Sequence, residues 1–280
     1  MNHIEILHYS LTLGFITLLC LLVYFRRLQR RLPFFVAYST ILLVCTVGVA
    51  VFYHHFGFRS VAAFNAYWIA VGVVVIARTI AIAELCRYEL RAYHGIWALT
   101  WRILALLAVF FLVHAAADAW GQTGGIAIYG LTIERDMAVS SIAILLALLL
   151  IRRYYGLALQ PLHMWIATGM LIVSIIETIN TAVLRDTFTG HLIFWFFGRY
   201  GTNWPGLRPQ VESATELWNR IHTFGEIISI CIWCFALRKP LPAPAKDPVL
   251  LPAEIYNEVS PAVNLRLRAF NDRLLGMLKS

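Results

Sequence analysis

Residues 61–86 read VAAFNAYWIAVGVVVIARTIAIAELC. A helix rises about 1.5 Å per residue, so this stretch is long enough to cross a hydrocarbon core about 30 Å thick. It is almost wholly apolar, and Arg78 interrupts it well inside its ends. The stretch therefore predicts a transmembrane helix that carries one cation within the membrane.

The composition of the whole chain agrees with a membrane protein. Hydrophobic residues make up 60% of the 280 residues and charged residues only 14%, whereas soluble domains are about 45–50% apolar and about 25% charged. These values exclude an ordinary soluble domain. The only lysines are Lys239, Lys246 and Lys279, outside every predicted span, so no amine is placed to form a retinal Schiff base.

Apolar runs between charged residues predict an all-α integral membrane bundle of seven transmembrane helices. We expect this bundle to occupy residues 1–238 and to be embedded in the lipid bilayer, which is its expected partner. The predicted spans are 6–25, 34–53, 61–86, 97–118, 137–151, 162–184 and 214–237.

Basic residues cluster in alternate loops and predict the orientation of the bundle. Arginines follow the first, third and fifth spans, and Arg238 and Lys239 follow the seventh. The positive-inside rule places these loops in the cytoplasm, with the amino terminus outside and the carboxyl terminus inside. Because the arginines lie beside spans, we expect them to set topology and expect no nucleic-acid partner.

Two stretches outside the spans have their own patterns. An aromatic run between residues 188 and 204 predicts a segment at the outer interface, either an anchor or a lid. Residues 239–261 form a Pro-rich linker, and residues 262–280 predict an amphipathic basic helix with Leu267, Phe270 and Leu274 on one face. This helix suits membrane anchoring or docking of a cytoplasmic or membrane protein partner.

The segments LPFFVAY at 32–38 and NAYW at 65–68, followed by Glu84, resemble a group of uncharacterised bacterial polytopic membrane proteins of unknown function. The resemblance covers about the first third of the chain. It implies a multi-span helical protein, here placed in the bacterial cytoplasmic (inner) membrane, and it brings no activity and no site residue.

Polar residues concentrate on one face of each of the last two predicted spans. His222 and Glu226 are four residues apart in span seven, and Glu177 lies in span six. Charged groups inside a membrane normally face the bundle interior and have partners. Counting residues along each span gives the depth of each side chain in the membrane. From these depths we expect Arg220 to lie level with Glu177, and Arg78 to lie near Glu226. The candidate ligand-binding residues are Arg78, Glu177, Asn180, Asn219, Arg220, His222 and Glu226.

These residues suit either a structural ion-pair network or a ligand or ion site that opens outward. A haem site would need two facing histidines from His8, His114 and His222, and the spacing does not demand it. For zinc, His222 and Glu226 supply two ligands and no dense histidine motif supplies the rest. We therefore assign no metal ligand, cofactor or catalytic residue.

Three functions remain open. The first is a non-enzymatic receptor-like or accessory subunit that binds a small or lipidic ligand from the outer side and couples to a partner through its tail. The second is a proton-coupled transporter using Glu177 and Glu226, and the third is a haem- or metal-binding redox subunit. The first is favoured because the segments outside the membrane are too short for chemistry of their own.

Overall fold

The fold is helical throughout the part of the chain that the structure, a computed structural model, describes. That part is residues 3–57, 60–90, 94–120, 125–155, 161–197 and 204–238, with residues 269, 272–273 and 276–277. The described ranges hold a short 3-10 helix and seven α helices, with no strand. The α helices are α1 (His3–Phe25), α2 (Pro33–Phe56), α3 (Val61–Leu90), α4 (His94–Ala119), α5 (Gly125–Tyr155), α6 (Pro161–Phe197) and α7 (Trp204–Leu237).

Five of these helices contain segments that are long and apolar enough to cross a membrane. The prediction of an all-α membrane protein is confirmed for the described residues, and the chain is a multi-pass membrane protein. A shorter apolar segment, Ser10–Phe25, lies in α1. The predicted linker and nearly all of the predicted surface helix lie outside the described residues. The five segments are Pro33–Phe56, Ala62–Leu90, Trp97–Ala119, Pro161–Thr181 and Arg220–Leu237.

Three helices begin or end far from the predicted positions. Helix α5 begins at Gly125 rather than at residue 137, so the charged triplet 134–136 lies inside the helix. Helix α6 continues to Phe197 and α7 begins at Trp204, so the aromatic run predicted at the interface is largely helical. With 37 and 34 residues, α6 and α7 are about 55 and 51 Å long and extend well beyond a hydrocarbon core.

The main hydrophobic core is built by side chains from α1, α2, α3, α5, α6 and α7. Helix α5 packs against α3, α4 and α6, while α6 packs along α7, and α1 contacts α2 and α7. Helix α4 is peripheral and turns apolar side chains such as Leu106, Val109 and Val113 outward, as expected for a lipid-facing surface. The buried charged residues that meet inside the bundle come from α3, α5, α6 and α7.

Helices α6 and α7 are held in one register by close packing and two hydrogen bonds. Trp233 Nε1 donates to the Ile166 carbonyl at 3.2 Å, and Ser229 Oγ donates to the Gly169 carbonyl at 3.0 Å. A Cβ atom on Gly169 would lie 2.2 Å from Trp233 Nε1. A small residue is therefore required here, as is common where membrane helices approach closely.

Side chains from neighbouring helices satisfy two helix ends. The Glu84 carboxylate of α3 accepts the backbone N–H groups of Phe34 and Phe35 at 3.1 and 3.0 Å, in the first turn of α2. At the end of α1, Arg26 Nε donates to the Leu237 carbonyl of α7 at 3.1 Å. Terminal N–H and C=O groups lack partners within their own helix, so these contacts both cap the ends and join the helices.

Candidate functional site

An ion pair joins α3 to α6 in the interior of the bundle. Arg78 Nη1 lies 2.5 Å from Glu177 Oε2. Arg78 is 1% exposed and Glu177 is 5% exposed, so both charges are removed from lipid and from water. Such a pair is stable only when each partner is present, because an isolated buried charge is costly.

A second carboxylate, Glu134 of α5, faces the same point. Glu134 is 2% exposed, and its Oε2 atom has no hydrogen-bond partner among the described residues. One ligand atom from each of Glu134, Glu177 and His222 lies within 4.8 Å of the others. Two carboxylates and an imidazole therefore converge from α5, α6 and α7.

Helix α7 contributes two groups spaced by one turn. His222 Nε2 lies 3.4 Å from Glu226 Oε1, near the outer limit of a hydrogen bond. His222 Nδ1 is buried and has no partner within the described ranges. The His222 and Glu226 side chains are 23% and 19% exposed, so this edge of the site is the more accessible one.

These five residues form an acidic cluster with unbalanced charge. Glu134 is within electrostatic range of the other four members, and the cluster holds one guanidinium and three carboxylates. With a neutral imidazole, two negative charges remain. Burying unbalanced charge is costly, so the cluster has a strong electrostatic preference for a cation or for protons. The members of the acidic cluster are Arg78, Glu134, Glu177, His222 and Glu226.

The structure brings four of the seven predicted site residues together in this cluster and places the other three differently. Arg78 pairs with Glu177, whereas depth counting placed it beside Glu226; counting along straight helices ignores tilt. Arg220 is exposed, and Asn180 is buried on α6. Asn219 belongs to α7, but its side chain lies outside the described residues.

Glu134 is the residue that the sequence prediction missed. It begins a triplet, Glu134-Arg135-Asp136, that lies directly before the predicted span 137–151. Inside α5, neighbouring groups satisfy the rest of the triplet: Asp136 contacts His114 Nδ1 at 2.7 Å and Arg135 Nε at 2.9 Å. The available signal was the apolar sequence on both sides of the triplet, which permits a continuous helix.

An apolar groove lies apart from the acidic cluster. Its volume is about 670 Å³, and it lies between α3, α4 and α5. The nearest lining residue on α3, Ile76, is about half a turn from Arg78, and on α5 Tyr129 is about one and a half turns from Glu134. A lipid chain would fit this groove better than the cluster, because the groove has no charged lining residue. Its lining residues are Trp68, Ile69, Gly72, Val73, Ile76, Ala116, Ala119, Trp120, Ile126 and Tyr129.

The fold and the site together show that this chain is a helical multi-pass membrane protein with an acidic cluster at its core. Comparison of the chain with protein-family models, curated proteins and solved structures gives no match. The resemblance to bacterial polytopic membrane proteins therefore stays a prediction. Function must be inferred from the geometry of the cluster itself.

Proposed function

We propose that the protein is a non-enzymatic cation carrier of the bacterial cytoplasmic membrane and that the acidic cluster is its binding site. One observation carries the proposal: two buried carboxylates, Glu134 and Glu177, and the half-buried carboxylate of Glu226 surround a single guanidinium. Placing a charged group inside the membrane costs free energy, and charged groups in such positions commonly mark ion pathways. A bound cation would balance the excess negative charge.

A purely structural role for the cluster is less well supported. An ion-pair network that only fixes helix packing should leave few polar atoms without partners. Within the described residues, Glu134 Oε2, His222 Nδ1 and Arg78 Nε all lack a hydrogen-bond partner. Of these atoms, Glu134 Oε2 and His222 Nδ1 can bind a cation, which favours a binding site.

The other functional hypotheses stay predictions. A receptor-like or accessory role depends on the outer aromatic loop and the carboxyl-terminal helix, which lie mostly outside the described residues. Proton coupling through Glu177 and Glu226 is compatible with a carrier. The haem alternative also stays a prediction: His114 contacts Asp136 at 2.7 Å and His222 contacts Glu226 at 3.4 Å, and each contact occupies one ring nitrogen of its histidine.

We also propose seven spans, with the amino terminus outside and the carboxyl terminus in the cytoplasm. Contacts between helix ends support the alternating direction of the helices, and the arginine-rich loops support the orientation. The end of α1 contacts the end of α7 through Arg26, and Glu84 near the end of α3 contacts the start of α2. His163 at the start of α6 lies 2.5 Å from Glu89 of α3. All these ends belong on one side if the helices alternate in direction.

Uptake into proteoliposomes tests the carrier function. Purified full-length protein would be reconstituted and offered Na⁺, K⁺, Mg²⁺ and Zn²⁺ in turn, with an internal fluorescent reporter for each. At least one of these cations should enter, and Glu134→Gln should abolish its entry. The matched control is Glu89→Gln, which removes a carboxylate from a Glu–His contact outside the cluster. Uptake of none of the four, or equal uptake by the Glu134→Gln protein, would contradict the proposal.

A further inference from the structure

We infer that Glu134, Glu177 and His222 bind a divalent first-row transition-metal ion. This inference rests on the proposed function, because it names the class of cation at the same site. The three side chains offer two carboxylate oxygens and one imidazole nitrogen within 4.8 Å of one another. Three protein ligands with a further open position are found in catalytic zinc sites, whereas structural zinc sites are closed by four protein ligands.

The separation of the ligand atoms is close to what a metal requires. Bonds of 2.0–2.2 Å in a tetrahedral site place ligand atoms roughly 3.4 Å apart. From a largest separation of 4.8 Å, the ligands need to approach by about 1.4 Å. Side-chain rotation of two glutamates and one histidine supplies such a movement without a change of helix packing.

Unpartnered atoms give independent support for a ligand at this point. Glu134 Oε2 lacks a hydrogen bond although Glu134 is 98% buried, its exposure being 2%. His222 Nδ1 is also buried without a partner, while Nε2 faces Glu226. Metal-binding histidines commonly use one ring nitrogen as the ligand and donate the other to a carboxylate. Glu226 therefore acts as a positioning residue that orients His222.

The charge of the acidic cluster selects a divalent ion. The cluster has two excess negative charges when His222 is neutral, as a metal-binding imidazole must be. One divalent ion brings it to neutrality, whereas Na⁺ or K⁺ leaves one charge uncompensated. The imidazole ligand favours Zn²⁺ and similar ions over Mg²⁺ and Ca²⁺, which prefer an all-oxygen set.

Equilibrium binding of Zn²⁺ to the purified full-length protein tests the inference. The experiment uses a Cys231→Ser/Cys234→Ser background, because thiols also bind zinc. Competition with a chromophoric chelator and metal analysis after desalting should give one Zn²⁺ per chain. Glu134→Gln and His222→Gln should each lower the affinity at least 100-fold, and Glu226→Gln should lower it about 10- to 100-fold.

Controls separate ligation from folding and from transport. Glu89→Gln should leave the affinity unchanged, and far-UV circular dichroism with size exclusion checks that each variant is folded. If Glu134→Gln does not fold, His222→Gln decides the result. Absence of Zn²⁺ binding, equal affinity for Mg²⁺, or unchanged affinity in a folded cluster variant would overturn the metal site. Tight binding of Zn²⁺ without uptake of any cation would overturn only the carrier function. Uptake of Na⁺ or K⁺ without Zn²⁺ binding would overturn only the metal site.

Discussion

The single guanidinium of the acidic cluster makes Arg78→Gln the most informative perturbation of stability. Removing one partner of a buried ion pair typically costs about 3–5 kcal/mol, because it leaves an uncompensated charge. Here the loss leaves three carboxylates without their cation. We therefore expect Arg78→Gln to lower the free energy of unfolding of the metal-free protein by about 3–5 kcal/mol.

A second substitution, Glu134→Gln, should partly restore the Arg78→Gln protein. The ligand atoms of Glu134 and Glu177 lie within 4.8 Å of each other. At an effective dielectric constant of about 20, two like charges at that distance repel by about 3.5 kcal/mol. The double variant should therefore recover on the order of 3 kcal/mol.

Unfolding in mixed micelles measures both effects. The transition would be followed by far-UV circular dichroism as the fraction of sodium dodecyl sulfate rises, with a metal chelator present throughout. As a matched control, Glu89→Gln in the Arg78→Gln background should give no recovery. The charge argument is wrong if Arg78→Gln changes stability by less than about 1 kcal/mol, or if Glu134→Gln destabilises the Arg78→Gln protein further.

Three further predictions concern packing, capping and topology. Gly169→Ala should lower the free energy of unfolding by about 1–3 kcal/mol, measured in the same micelles, because the new methyl group would overlap Trp233; a neutral effect would contradict the close approach of α6 and α7. Glu84→Ala should cost about 1–3 kcal/mol by leaving two N–H groups of α2 without acceptors, and Glu84→Gln should cost less; equal losses would argue against capping. Single cysteines placed at Glu5 and Ser280 should react with impermeant reagents from opposite sides of the membrane, and reaction from the same side would refute an odd number of spans.

The sequence predicted the α6–α7 part of the site better than the rest. Spacing of three and four residues places polar groups on one helical face, and a membrane forces that face inward. This reasoning needs only one helix at a time, and it selected Glu177, His222 and Glu226, which meet in the acidic cluster. It also identified Arg78 as a cation that needs an acidic partner.

The contacts between residues of different helices were not predictable in the same way. Whether a charged residue ends a span or is buried depends on groups supplied by other helices, and no local pattern reports them. The apolar sequence around Glu134 permits a continuous helix, but its membership of the cluster depends on Arg78 and His222, which belong to other helices. The Arg78–Glu177 pairing likewise depends on helix tilt and on the true lengths of α5 and α6, which hydropathy alone does not fix.

The tight contact between α6 and α7 determines which parts of a carrier can move. Glu177, His222 and Glu226 belong to the closely packed hairpin of α6 and α7, whereas Arg78 and Glu134 lie on α3 and α5. Rocking of α3 and α5 away from the hairpin would divide the site into a neutral half and a half with two negative charges. A bound cation would then stay with the hairpin. Arg78 would act as a removable counter-ion: cation binding becomes stronger when Arg78 moves away and weaker when it returns.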